Sequence, residues 1–204
     1  MMVTMVGLCG GTCSGKSTLS RRLLDTLSDI ETAELSFDSY YRPLGHLPLS
    51  ERQGVNFDHP DSLDLELFRS HLACLKRGEA VEEPLYSFEC HDRLEQTRRV
   101  EPAKLILVDG ILLLADADVR AQLDYIVFVD VPADIRLGRR LARDQAERGR
   151  SEDSVRRQFA ETVAPMHDAF VQPGKAHADL VLDGTRPPEE LVLELRNALL
   201  SRLR

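Results

Sequence analysis

The segment Gly10-Gly11-Thr12-Cys13-Ser14-Gly15-Lys16-Ser17 follows an apolar run over residues 3–9 and precedes an amphipathic stretch carrying Leu19, Leu23, Leu24 and Leu27. A glycine-rich loop in that setting joins a buried strand to a helix, because glycines reach backbone angles that turn successive N–H groups inward. The helix that follows aims its positive dipole end and its unpaired N–H groups at the same spot. Such a loop holds phosphates. Gly10, Gly11, Thr12, Cys13, Ser14 and Gly15 form the cradle, Lys16 reaches the β and γ phosphates, and Ser17, with Thr18 beside it, brings a hydroxyl to Mg²⁺. The spacing points to nucleoside triphosphate chemistry.

Further apolar runs at residues 33–37, 105–108, 125–129 and 180–182 are too short for helices and read as buried strands. Between them lie helical spacings such as Leu65, Phe68, Leu72 and Leu75. Strand and helix alternate, which predicts an α/β fold with a doubly wound parallel sheet. Residues 133–148 are dominated by charge. Ser151-Glu152-Asp153 then caps a helix carrying Val155, Phe159, Val163 and Met166, in which Pro165 is expected to make a kink or break. A last helix opens near Pro187-Pro188-Glu189-Glu190. Residues 81–102 interrupt the rhythm, with runs over 81–88 and 94–100 flanking a polar centre, and predict a β-hairpin insertion suited to reading a substrate. At 204 residues the chain suits one domain over 1–204, with the hairpin at about 81–102 and an arginine-rich helical lid at about 133–150.

Lysine and arginine number 26 against 34 acidic residues, a net charge of −8, so no global positive field exists to attract nucleic acid or a membrane. A polyanion must be held by local charges. No basic leader is apparent, and no apolar run approaches the roughly 18 residues that span a bilayer, so a soluble, cytoplasmic protein is expected. Cys9, Cys13, Cys74 and Cys90 lack metal-ligand spacing and fit reduced thiols in a cytosol. Cys13 is expected to serve as small-residue packing in the loop.

Asp109 ends the 105–108 strand and resembles the Walker B acid that supports Mg²⁺. Asp38 follows another short strand. Because strand carboxyl ends line the ligand crevice of an open parallel sheet, Asp38 can face the phosphate loop, take a proton from an attacking hydroxyl and join the metal set; an ordinary helix cap is the alternative. Arg136, Arg139, Arg140, Arg143, Arg148 and Arg150 form a lysine-free cluster that can chelate phosphate oxygens and neutralise charge developing in transfer, which makes Arg143 and Arg148 candidate catalytic groups with Asp38 and Lys16. Asp134, Asp144 and Glu147 among them leave a solvated, salt-bridged face as the competing reading. The phosphate loop favours a closing lid.

Together with Phe37-Asp38-Ser39-Tyr40-Tyr41, Val55-Asn56-Phe57-Asp58-His59-Pro60-Asp61, Pro84-Leu85-Tyr86-Ser87-Phe88 with His91 and Arg93, Val108-Asp109-Gly110-Ile111-Leu112, Arg143-Asp144 with Glu147-Arg148-Gly149-Arg150, and Pro165-Met166-His167, the phosphate loop resembles that of the uridine-cytidine kinases, a P-loop nucleoside kinase family, and the resemblance spans residues 7–179. The resemblance implies a P-loop NTPase kinase fold and Mg²⁺-dependent transfer of the γ-phosphate of ATP or GTP to the 5′-hydroxyl of uridine or cytidine. It implies Asp38 as catalytic base, Asp58 and Arg140 on the ribose hydroxyls, and Tyr86, His91, Arg150 and Gln158 around the pyrimidine edge. Phe57 and Phe88 would sandwich the base. It also implies a homo-oligomer, with the homotetramer as the family form. The chain departs from the family at Asp109, where glutamate is usual, and at residues 183–187, which lack the family's Gly-Gly-x-Asn string. Other small-molecule kinases on the same scaffold, phosphoribulokinase-like or pantothenate-kinase-like, are the nearest alternatives. A regulatory guanine-nucleotide switch is disfavoured, since neither Asn56 nor Asn197 precedes lysine.

Overall fold

Side chains alternate across the strands so that both faces of the central sheet are apolar, which is the pattern of a parallel sheet covered by helices on each side. In the computed structural model, which describes residues 3–52 and 54–202, the strands are β1 (Thr4–Gly10), β2 (Thr32–Ser36), β3 (Val81–Ser87), β4 (Asp92–Val100), β5 (Leu105–Asp109), β6 (Tyr125–Asp130) and β7 (Leu180–Asp183). Five of them form one parallel sheet in the order β2-β5-β1-β6-β7. Met5, Cys9, Ile106, Val108 and Phe128 face one core, while Val6, Leu8, Leu105, Leu107, Val127 and Val129 face the other. Both cores are dry.

The principal helices are α1 (Lys16–Asp25), α2 (Leu65–Lys76), α3 (Ala133–Arg148), α4 (Glu152–Gln158) and α5 (Pro188–Arg202). Leu19 and Leu23 of α1 and Leu191, Leu195 and Leu199 of α5 cover one face; Phe68, Leu72 and Leu75 of α2 cover the other. Each such leucine contributes roughly 2 kcal/mol by leaving water. β1 lies at the centre, so its carboxyl end, the phosphate loop, opens between β5 and β6 at the point where strand order reverses direction. That is where open α/β sheets place ligands.

β3 and β4 form a separate antiparallel hairpin with an irregularity between Pro84 and Tyr86. Glu83, buried, accepts from the Ser36 backbone N–H at 2.8 Å and from Arg98 Nε at 2.7 Å, and Arg98 also donates to Glu34 O at 2.8 Å. Arg93 donates to Tyr40 O at 2.9 Å and to Asp64 at 3.2 Å. The hairpin is thereby fastened, through Glu83 and again near its turn through Arg93, to the helical turn Phe37–Tyr40 that carries Asp38 and to Ser36 before it.

Two local expectations change. Phe37 leaves the strand and starts that turn. The break expected at Pro165 does not occur: the chain stays helical through Phe159–Val163 and His167–Val171, both wide π turns, with Pro165 in the first turn of the short α segment between them. Proline lacks an N–H that such a position does not use. All four cysteines are free, and among the described residues no helix is long and apolar enough to cross a membrane.

Candidate active site

The phosphate loop folds as its residues dictate. Gly10 (φ 139°) turns the chain out of β1, Cys13 adopts φ 58°, and Gly15 (φ 99°) stands at the N-cap of α1. No side chain caps α1 and no acid occupies its first turn, so its first N–H groups are left to bind an anion. Lys16, buried, donates from Nζ to Gly11 O at 3.0 Å. Cys13 is only half-buried, and its left-handed backbone rather than apolar packing is its distinctive feature.

Ser17 Oγ donates to Asp109 Oδ2 at 2.9 Å, while Asp109 Oδ1 is buried with no partner. Burial raises the Asp109 pKa against the opposing pull of Lys16. A hydroxyl and an orphaned carboxylate oxygen beside a phosphate loop fit the protein's share of a Mg²⁺ site, which takes its remaining oxygens from phosphates and water. No group of three or more His, Cys, Asp or Glu side chains among the described residues offers a closed metal cage. A kinase magnesium site does not need one.

Asp38 lies in this crevice. Its pKa is pushed up to about 6, first by burial and next by the Asp109 carboxylate, with Lys16 and Arg143 opposing and Asp58 adding to the rise. Asp38 thus lies within electrostatic reach of Lys16 in the phosphate loop, Asp109 at the end of β5, Asp58 in the 56–61 loop and Arg143 of α3. A carboxylate poised near 6 is suited to accept a proton near neutrality.

Near Asp38, aromatic rings converge from three elements. Tyr41 meets Phe57 at 5.2 Å and Tyr86 at 5.1 Å, Phe57 stacks on His91 at 5.5 Å and 18°, and Phe88 meets Tyr86 at 5.1 Å. Phe57 pairs with His91 rather than directly with Phe88; Tyr86 stands between the two phenyl rings. Tyr86 Oη is buried without a partner. His91, at φ 48° in the hairpin turn, has its pKa lowered by burial and by Arg148, Arg150 and Arg52, which keeps the ring neutral at pH 7. Burial raises the Asp58 pKa, with Arg140 opposing.

α3 brings in the arginines. Arg140 Nη1 donates to Thr12 Oγ1 at 3.2 Å and Nη2 to Gln158 Oε1 at 3.0 Å; Arg150 Nη1 reaches the same Gln158 oxygen at 2.5 Å. Arg148 lies over the Phe88 ring at 5.2 Å. Arg136 is buried under Gly11 beside Phe159. Arg139 alone turns to the outer side of the loop, donating to Gly184 O at 2.9 Å and Ser14 O at 3.3 Å. A cavity of about 490 Å³ opens there, lined by Ser14, Thr18, Arg139 and the Gly184–Pro188 segment. The structure thus gathers Asp38, Asp109, Lys16, Ser17, Asp58, Arg140, Arg143 and the aromatic set into one crevice.

Glu83 and Arg52 escape a sequence reading, and Tyr41, though part of the Phe37–Tyr41 string, carries no role there. Arg52 pairs with Asp92 at 3.0 Å and donates to Cys90 O at 3.1 Å, holding the hairpin turn; its partners lie far along the chain and leave no local pattern.

The model of the Phosphoribulokinase / Uridine kinase family matches residues 5–190. Uridine kinases of Salmonella typhimurium and Salmonella typhi are each 45% identical over 182 residues, 87% of this chain and 85% of theirs. A kinase assigned to a fructose transport system, from Silicibacter, superposes with a TM-score of 0.73 at 25% identity over 88% of this chain and 89% of that one. A possible uridine kinase from Bacillus stearothermophilus superposes at 0.62 and 19% identity over 90% of each, which bears on the fold alone. On a match covering nearly its whole length and on relatives of that identity, the chain belongs to the phosphoribulokinase/uridine kinase family.

Proposed function

We propose that this protein transfers the γ-phosphate of ATP or GTP to the 5′-hydroxyl of uridine or cytidine, yielding UMP or CMP. The observation that supports the reading is that Asp38 lies within electrostatic reach both of Lys16 and Asp109 at the phosphate loop and of Asp58, Tyr41 and Tyr86 in the aromatic cluster. Similarity to uridine kinases supports the choice of nucleoside.

In the reaction Asp38 takes the proton of the 5′-hydroxyl as that oxygen attacks the γ-phosphorus. The bond from the γ-phosphorus to the β–γ bridging oxygen breaks, and the nucleoside diphosphate leaves with its electron pair. Lys16, Arg143 and Arg148 neutralise charge on the transferring group. Mg²⁺, when held by Ser17 and Asp109, adds charge neutralisation at the phosphates. Asp58 accepts from and Arg140 donates to the ribose hydroxyls, and neutral His91 can donate or accept at the pyrimidine edge, which accommodates O4 of uracil and N4 of cytosine. We read α3 and the residues up to 150 as a lid that closes over the triphosphate.

Asp38 must be ionised to act. Its raised pKa therefore predicts that kcat/KM climbs tenfold per pH unit at low pH and levels off above about 6. A profile flat down to pH 5 would remove Asp38 from the base role. The substrate assignment is tested by nucleoside diphosphate release with uridine, cytidine, deoxycytidine, adenosine, pantothenate and ribulose 5-phosphate as acceptors. Stimulation by the first two is expected; stimulation by a non-nucleoside alone would refute the assignment of the aromatic pocket.

A further inference from the structure

Asp144 stands in α3, in which eight of sixteen residues are charged, and yet is fully buried, with 0% of its side chain exposed. Four guanidinium groups surround its two oxygens. Arg143 donates twice to Oδ1, at 2.9 and 2.7 Å; Arg150 Nη1 lies 3.4 Å and Arg140 Nε 3.5 Å from Oδ2; Arg148 Nε lies 3.8 Å from Oδ1. The turn that makes this convergence possible is Gly149, whose φ of 61° lets the chain double back so that Arg150 N bonds Asp144 O at 3.1 Å. One negative charge offsets only one of the four positive ones.

From that shared anchor the arginines fan out to different parts of the crevice. Arg140 reaches Thr12 in the phosphate loop, Arg148 covers Phe88 at the hairpin, and Arg143 lies within electrostatic reach of Asp38. Arg140 and Arg150 meet again on Gln158. An array in which guanidinium groups are packed side by side would fly apart by like-charge repulsion without a buried counter-charge.

We infer that Asp144 is a positioning residue, the single carboxylate that fixes the arginines serving both the triphosphate and the nucleoside. The inference rests on the kinase reading above. It makes a prediction whose sign is opposite to that of charge counting: removing a negative charge near a bound triphosphate should tighten binding, whereas losing the anchor should loosen it.

The test compares wild type, Asp144→Asn and Asp144→Glu for kcat with uridine, the Kd of Mg-ATP and the melting midpoint. Asp144→Asn is expected to bind one ATP per folded chain at least about tenfold more weakly and to turn over about 30-fold or more slowly, with Asp144→Glu intermediate because it keeps the charge but displaces it. A role confined to stability would lower the melting midpoint without changing kcat per ATP-binding site. That result, or unchanged or tighter ATP binding, overturns the inference. If the asparagine variant does not fold, Asp144→Glu decides: a kcat within twofold of wild type overturns the proposal, and a tenfold fall supports it. Absence of uridine turnover in the wild type would count against the proposed reaction instead, and the ATP Kd would still report on Asp144.

Discussion

Asp38→Asn lowers kcat by about 10²-fold or more while triphosphate binding stays near the wild-type level. The asparagine is isosteric and fills the same half-buried space within the Phe37–Tyr40 turn, but it cannot take the 5′-hydroxyl proton. Triphosphate binding survives because the cradle, Lys16 and the open end of α1 do not depend on Asp38. Removing the carboxylate also removes its repulsion with the Asp109 carboxylate, the second contribution after burial to the raised Asp38 pKa. Stopped turnover with an intact ATP Kd is therefore the expected signature. Near-normal turnover would assign Asp38 a structural role only.

Gly10→Ala is expected to cost about 3 kcal/mol of stability and to weaken triphosphate binding with it. At φ 139° the position is strained for any L side chain, and a Cβ there would fall 2.4 Å from Val129 O and 3.0 Å from Ser14 Oγ. Val129 O belongs to β6, paired with β1 at this residue, so the obstacle is backbone in the middle of the sheet and cannot swing aside. For a chain of this size the melting midpoint should fall by roughly 6–12 °C. A change under about 2 °C with unaltered ATP affinity would show that the loop relaxes far more readily than this geometry allows.

Much of the fold is legible in sequence because its signals are local. The five sheet strands announce themselves as short apolar runs between turn residues, α1 and α2 by their leucine spacing, and Ser151 by the cap it makes with Ser154 N. The candidate site is legible where motifs are contiguous, as in the phosphate loop, Asp109 and the 56–61 string. Long-range ties are not. Glu83 reads as a strand-surface acid, but it fastens the hairpin to Ser36. Asp144 is the sharper case: a carboxylate among arginines at helical spacing matches a solvated face, and only the return of the chain at Gly149 and the packing of α4 turn that face inward. Charge patterns report neighbours along a helix and not what lies across from it. At Pro165 the helix continues unbroken, but through π turns on both sides of the proline.

The most direct test of the central claim is the identity of the product formed from uridine and Mg-ATP. Mass spectrometry combined with phosphorus NMR should show a gain of one phosphoryl group carried on the 5′ carbon, and 5′-deoxyuridine should be inert. A phosphorylated product at the 2′ or 3′ position, or no nucleoside product while a non-nucleoside alcohol is phosphorylated, would contradict the placement of the 5′-hydroxyl between Asp38 and the γ-phosphate.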